Sequence, residues 1–118
     1  MATGRRTAQA VYLRVFLPDR PERTAGVFLL DTETQNLYFR IRDDWNEIAD
    51  AGDADVLSEM GNDFRRRAGE LSEGGGAAFL AELEDQLSNV VRLSERKLVE
   101  AEDIRTTLDR LFEEHCRD

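Results

Sequence analysis

The stretch Leu37-Tyr38-Phe39-Arg40-Ile41-Arg42-Asp43-Asp44-Trp45 decides the fold, because the hydrophobic rhythm changes inside it. Leu37, Phe39 and Ile41 alternate with Tyr38, Arg40 and Arg42, as they do in a strand whose two faces differ. Beyond Asp44 the apolar residues return every third or fourth position, as on one stripe of a helix. Strands therefore come first and helices after, which makes the chain an α+β domain.

Upstream, Val11, Leu13, Val15 and Leu17 share one strand face, and Tyr12, Arg14 and Phe16 share the other. Pro18 closes that run, because proline has no amide donor for a ladder. Val27-Phe28-Leu29-Leu30 is apolar without a break, which predicts a central strand buried on both sides. Polar turn residues separate these runs, and connections this short join antiparallel neighbours. The expectation is a three-stranded antiparallel sheet over about residues 10–42, with residues 1–8 as a loose tail.

Downstream, Asp53 is a candidate N-cap for a helix with Val56, Leu57, Met60, Phe64 and Leu71 on its apolar stripe. Gly74-Gly75-Gly76 reads as a flexible break. A second helix follows from Ala77 to about Asn89, with Phe79, Leu80, Leu83 and Leu87 at helical spacing and Val90 extending the stripe. Residues 91–99 read equally as helix or as containing a short additional strand near 97–99. The last helix carries Ile104, Leu108, Leu111 and Phe112 as its stripe, with Glu100, Glu102 and Asp103 at its positive end. Val99-Glu100-Ala101-Glu102-Asp103-Ile104 is similar to the start of the last helix in histone-fold domains. Gly74 to Gly76 interrupts the long central helix that fold requires, and no function is carried across. Three helices are expected after the sheet, with helices covering the face bearing Val11, Leu13, Val15, Leu37, Phe39 and Ile41.

The chain has 118 residues, 41% hydrophobic and 35% charged, which suits one modest core and places all of 1–118 in a single domain. Asp and Glu number 25 against 16 Lys and Arg, a formal net charge of −9. A surface of that sign repels phosphate backbones, so general nucleic-acid binding is disfavoured; the acidity suits a basic partner or simply keeps a small protein soluble. No apolar run is long enough for a membrane span or a signal-peptide core, and the expectation is a cytoplasmic protein.

Residues that could carry chemistry are sparse. The single histidine, His115, and the single cysteine, Cys116, are neighbours, so on a helix they point about 100° apart and cannot act as a base and nucleophile. Cys116 is expected to be neither catalytic nor structural. One Cys and one His cannot close a zinc site. The glycine run lacks the lysine and hydroxyl residue of a phosphate loop. No catalytic, metal-binding or cofactor-binding residues are assigned, and no cofactor is expected.

One surface stands out. Tyr12, Arg14, Phe16, Tyr38, Arg40 and Arg42 line the second sheet face, and arginines interleaved with aromatics are common at interfaces. These six are the candidate partner-binding residues; the competing reading is that one or more helices cover the face, with the chain's carboxylates capping the arginines. The resulting expectation is a small acidic, non-enzymatic interaction or regulatory protein that binds another protein. An antitoxin or inhibitor that neutralises a basic partner is one form, and a homo-oligomer is another. Two alternatives remain. One is a small metal-dependent hydrolase or nuclease using Asp43 and Asp44 with further carboxylates. The other is a nucleic-acid module using the arginine-aromatic face with Arg65, Arg66 and Arg67.

Overall fold

The computed structural model describes residues 6–18, 20–71, 74–86 and 91–116. Within them the fold is α+β, as the change of rhythm predicts. Strands β1 (Arg6–Val15), β2 (Arg23–Asp31) and β3 (Leu37–Ile41) form an antiparallel meander. Helices α1 (Ala51–Gly69) and α2 (Gly76–Gln86) follow, then strands β4 (Val91–Leu93) and β5 (Lys97–Ala101), then helix α3 (Ile104–Cys116). The sheet order is β3-β2-β1-β4, and β5 also pairs with β1, beside its N-terminal half.

Two more strands form than the three expected. The strand read near 97–99 is present as β5, and the short run at 91–93 joins it against β1. Their presence gives β1 an earlier start than the sequence indicated. Thr7 and Ala8, placed in the loose tail, are strand residues because Glu100 and Val99 lie opposite them. Residues 1–5 lie outside the described residues, as do Ser72, Glu73, Leu87 and Val90.

The sheet is covered on both faces. Val11, Leu13, Val15, Phe28, Leu30 and Ile41 are buried under α1 and α2 with Leu57, Phe64, Phe79, Leu80 and Leu83. That is the expected helical cover. Ala8, Ala10, Val27 and Leu29 on the other face are buried against Ile104, Leu108, Leu111, Phe112 and Cys116 of α3. β2 thus has helix-covered side chains on both faces, which is why Val27 to Leu30 are apolar without alternation.

Three local readings change. Helix α1 starts at Ala51, and Asp50 is its cap, accepting from the Asp53 amide at 3.1 Å. Its buried stripe is Ala54, Leu57, Gly61 and Phe64. Val56 falls off that stripe and is 65% exposed. The glycine run is held in place. Gly74 takes φ +82°, and its amide donates to Asn36 Oδ1 at 3.0 Å. The Gly76 amide donates to the Gln35 carbonyl at 2.9 Å, docking the start of α2 on the β2–β3 turn. A Cβ on Gly76 would stand 2.7 Å from that carbonyl oxygen, so glycine serves close approach here.

Candidate functional site

Two bulges shape the part of the sheet that bears the candidate residues. Leu13 pairs with Gly26 and Arg14 with Thr24, so Ala25 is an extra residue on β2. Its carbonyl accepts from the Arg42 amide at 2.9 Å, which carries β3's direction one residue further. On the other side of β1, Ala10 pairs with Lys97 while Leu13 pairs with Leu93. Three residues, Ser94 to Arg96, therefore face only Val11 and Tyr12. Ser94 closes the gap: its amide donates to the Tyr12 carbonyl at 2.9 Å, and its Oγ accepts from the Tyr12 amide at 2.9 Å. Bulges gather beside sites because they re-aim side chains.

The six candidate residues separate into two groups. Tyr12, Tyr38 and Arg40 contact α3. The Tyr12 ring lies 4.5 Å from the His115 ring. The Arg40 guanidinium sits over Phe112 at 4.1 Å and pairs with Asp109 at 3.2 Å. Arg105 lies over Tyr38 at 5.6 Å. Burial raises the Tyr12 phenol above its ordinary value, and the charges of Glu114 and Cys116 raise it further.

Arg14, Phe16 and Arg42 stand at the other end of this face, and their described contacts are with the sheet and its connections. Arg42, only 7% exposed, grips Asp44 with two hydrogen bonds, at 2.6 and 2.9 Å, and donates to the Thr24 carbonyl at 3.4 Å. Arg14 pairs with Glu22, and its buried Nε has no hydrogen-bond partner among the described residues. Arg14 also lies directly opposite Arg92 of β4, whose guanidinium is 5.6 Å from the Phe16 ring. Arg92 was missed in the sequence because its strand was ambiguous. Once β4 is in register with β1, its place beside Arg14 follows.

The residues of the alternative readings are placed as follows. The Asp44 carboxylate is engaged by Arg42, Asp43 is exposed, and Trp45 is buried in the core. Among the described residues no three His, Cys, Asp or Glu side chains gather as a metal site. Arg65 bonds the Ile41 carbonyl at 3.1 Å, Arg66 pairs with Asp63, and Arg67 pairs with Glu82 at 2.8 Å. These arginines belong to α1, which covers the opposite sheet face from Arg14 and Arg40. Cys116 is 2% exposed in the α3 core, so it packs as a small apolar residue, contrary to the expectation of no structural role. An open concavity of about 520 Å³ lies at the β5–α3 corner, lined by Glu100, Glu102, Asp103, Thr106, Thr107 and Arg110. Among the described residues no helix is long and apolar enough to cross a membrane. Comparison with protein-family models, curated proteins and solved structures finds no match for this chain.

Proposed function

We propose that this chain is a non-enzymatic protein-binding module, and that the end of the sheet bearing Arg14, Phe16 and Arg92 is its contact surface. The observation that carries the reading is the Arg14–Arg92 pair. Two arginines stand directly opposite each other on neighbouring strands beside Phe16, and the buried Nε of Arg14 has no hydrogen-bond partner among the described residues. A partner carboxylate brought to the two guanidiniums would add charge-assisted hydrogen bonds to those they already make within the chain. Phe16 would supply the apolar anchor beside it, the combination that dominates interface energies. Arg42, locked to Asp44, forms the rim. The net charge of −9 favours a partner whose remaining surface is basic. An inhibitor or antitoxin that neutralises such a partner is the concrete form, by analogy of size and charge.

The test uses the double variant Arg14→Ala/Arg92→Ala. Wild-type and variant chains are used as bait in lysate of the source cells, and bound proteins are identified by mass spectrometry. The reading expects one protein retained by wild type and lost by the variant, while the melting temperature changes little, because a partly exposed ion pair such as Arg14–Glu22 contributes little to folding. A fall in melting temperature without loss of the partner would assign the arginines to the fold. Arginine beside an aromatic ring can also hold a base. Salt-sensitive retention of a single-stranded oligonucleotide in place of a protein would turn the reading to nucleic acid.

A further inference from the structure

The two edges of the sheet are treated differently. The Thr7 carbonyl accepts from the Thr32 amide at 3.1 Å, on the β2 side, whereas the Tyr12 amide and carbonyl both bond Ser94, on the β4 side. Backbone groups alternate sides along a strand, so Ala8 and Ala10 also turn toward β5, and Val99 and Lys97 opposite them turn back. Leu98, opposite Gln9, then directs its amide and carbonyl away from the sheet. Its side chain is 69% exposed. The same alternation turns Ile41 of β3 outward at the other edge, but there the Arg65 guanidinium of α1 occupies its carbonyl at 3.1 Å. A helix side chain occupies the Ile41 carbonyl at that edge, and the β5 edge presents an exposed leucine with outward backbone groups, the configuration that recruits another strand.

We infer that β5 pairs with β5 of a second copy of this chain, antiparallel about a two-fold axis through Leu98. An isologous contact requires the edge to complement itself. A two-fold perpendicular to the sheet keeps side chains on their own faces, so only residues of equal parity can stand opposite. Centring on Leu98 sets it against the partner's Leu98, covering both exposed leucines and joining their outward amides and carbonyls. The same register sets Arg96 against the partner's Glu100, and Lys97 against the partner's Val99. Arg96 bonds Gln9 at 3.2 Å and Glu84 at 2.9 Å, and the partner's Glu100 would join this cluster. Charge complementarity and the exposed leucine select a second copy as the occupant. The contact is separate from the Arg14 surface, and Arg14→Ala does not touch it.

Analytical ultracentrifugation of the full chain tests the inference. The apparent mass should rise from one chain toward two with concentration. Leu98→Pro removes the outward amide and leaves the β1 pairing intact, and should weaken self-association by about tenfold or more with an unchanged melting temperature at low concentration. If proline disturbs the strand, Leu98→Lys places a charge on the axis without altering the backbone and should weaken association equally. A positive readout comes from Leu98→Cys. Hydrogen-bonded antiparallel pairs have Cα atoms about 5.5 Å apart, within disulfide reach. Mild oxidation should therefore give a covalent dimer far faster than with Val56→Cys, an exposed site on α1. A single-chain mass at every concentration, a dimer indifferent to both Leu98→Pro and Leu98→Lys, or equal cross-linking at the two cysteine positions would each overturn it.

Discussion

Arg40 of β3 and Phe112 of α3 meet face on, with the guanidinium carbon 4.1 Å from the ring centroid, and Asp109 one turn earlier on the helix takes a hydrogen bond from the same guanidinium at 3.2 Å. The contact is a clasp between the sheet and its last helix. The arginine is partly exposed, so the cation–π contact contributes about 0.5–1 kcal/mol, and the ion pair less. Phe112 is buried in the core beneath α3 and contributes mainly through packing. Arg40→Ala should lower stability by about 1 kcal/mol, and Phe112→Ala by about 3–5 kcal/mol. Urea denaturation of the two variants checks the ratio, and equal losses would mean that the arginine is the main fastening.

Two glycines of the helical region should respond in opposite directions. A Cβ on Gly76 would lie 2.7 to 2.9 Å from the Gln35 carbonyl, Leu37 and Leu30. Gly76→Ala must push α2 off the β2–β3 turn, at a cost of about 1–3 kcal/mol. A Cβ on Gly61 would meet Arg65, Trp45 and Ile41 at 3.5 to 3.8 Å, ordinary contact distances. Gly61→Ala should stabilise by up to about 1 kcal/mol, the helical advantage of alanine. Melting temperatures moving in opposite directions confirm both placements.

Adjacent acids at the end of β3 should differ as sharply. Asp44 neutralises Arg42, which is almost wholly buried, while Asp43 is exposed. Asp44→Ala takes two charge-assisted bonds from a buried guanidinium and should cost about 1.5–3 kcal/mol. Asp43→Ala should change stability by less than about 0.5 kcal/mol. Chemical denaturation of the pair of variants distinguishes them, and equal effects would show that the Arg42–Asp44 pair is not what secures this corner.

The raised phenol of Tyr12 has an alkaline consequence. Below pH 10 it is protonated in the folded and unfolded chains alike and has no effect. As pH rises past the ordinary value of 10.0, the unfolded phenol loses its proton first, so the unfolded state holds fewer protons and stability falls. The fall ends once the folded phenol also ionises. Tyr12→Phe should remove this part of the alkaline loss, as measured by denaturant midpoints between neutral pH and the tyrosinate range. An identical pH profile in the variant would place the alkaline sensitivity elsewhere.

Much of the architecture is legible in local pattern. Period-two alternation at Leu37 to Arg42, the unbroken run at Val27 to Leu30, and the stripe Ile104, Leu108, Leu111, Phe112 each describe one element and the face it buries, because side-chain direction follows from the backbone repeat alone. What local pattern could not show is which partner meets each face. Residues 91–93 and 97–101 became strands only because β1 had an edge to pair with, and that pairing drew Thr7 and Ala8 into the sheet. The sequence left open whether helices cover the arginine-aromatic face; α3 lies against Tyr12, Tyr38 and Arg40 and leaves Arg14 and Phe16 beyond its end. The pairing of Arg14 with Arg92 joins residues far apart in the chain, and an inserted residue at each of two bulges sets it. Side-chain alternation is a property of a single strand and is written in the sequence. Register between strands and the seating of a helix on a sheet depend on the packing of the whole molecule, and only the tertiary structure decided them.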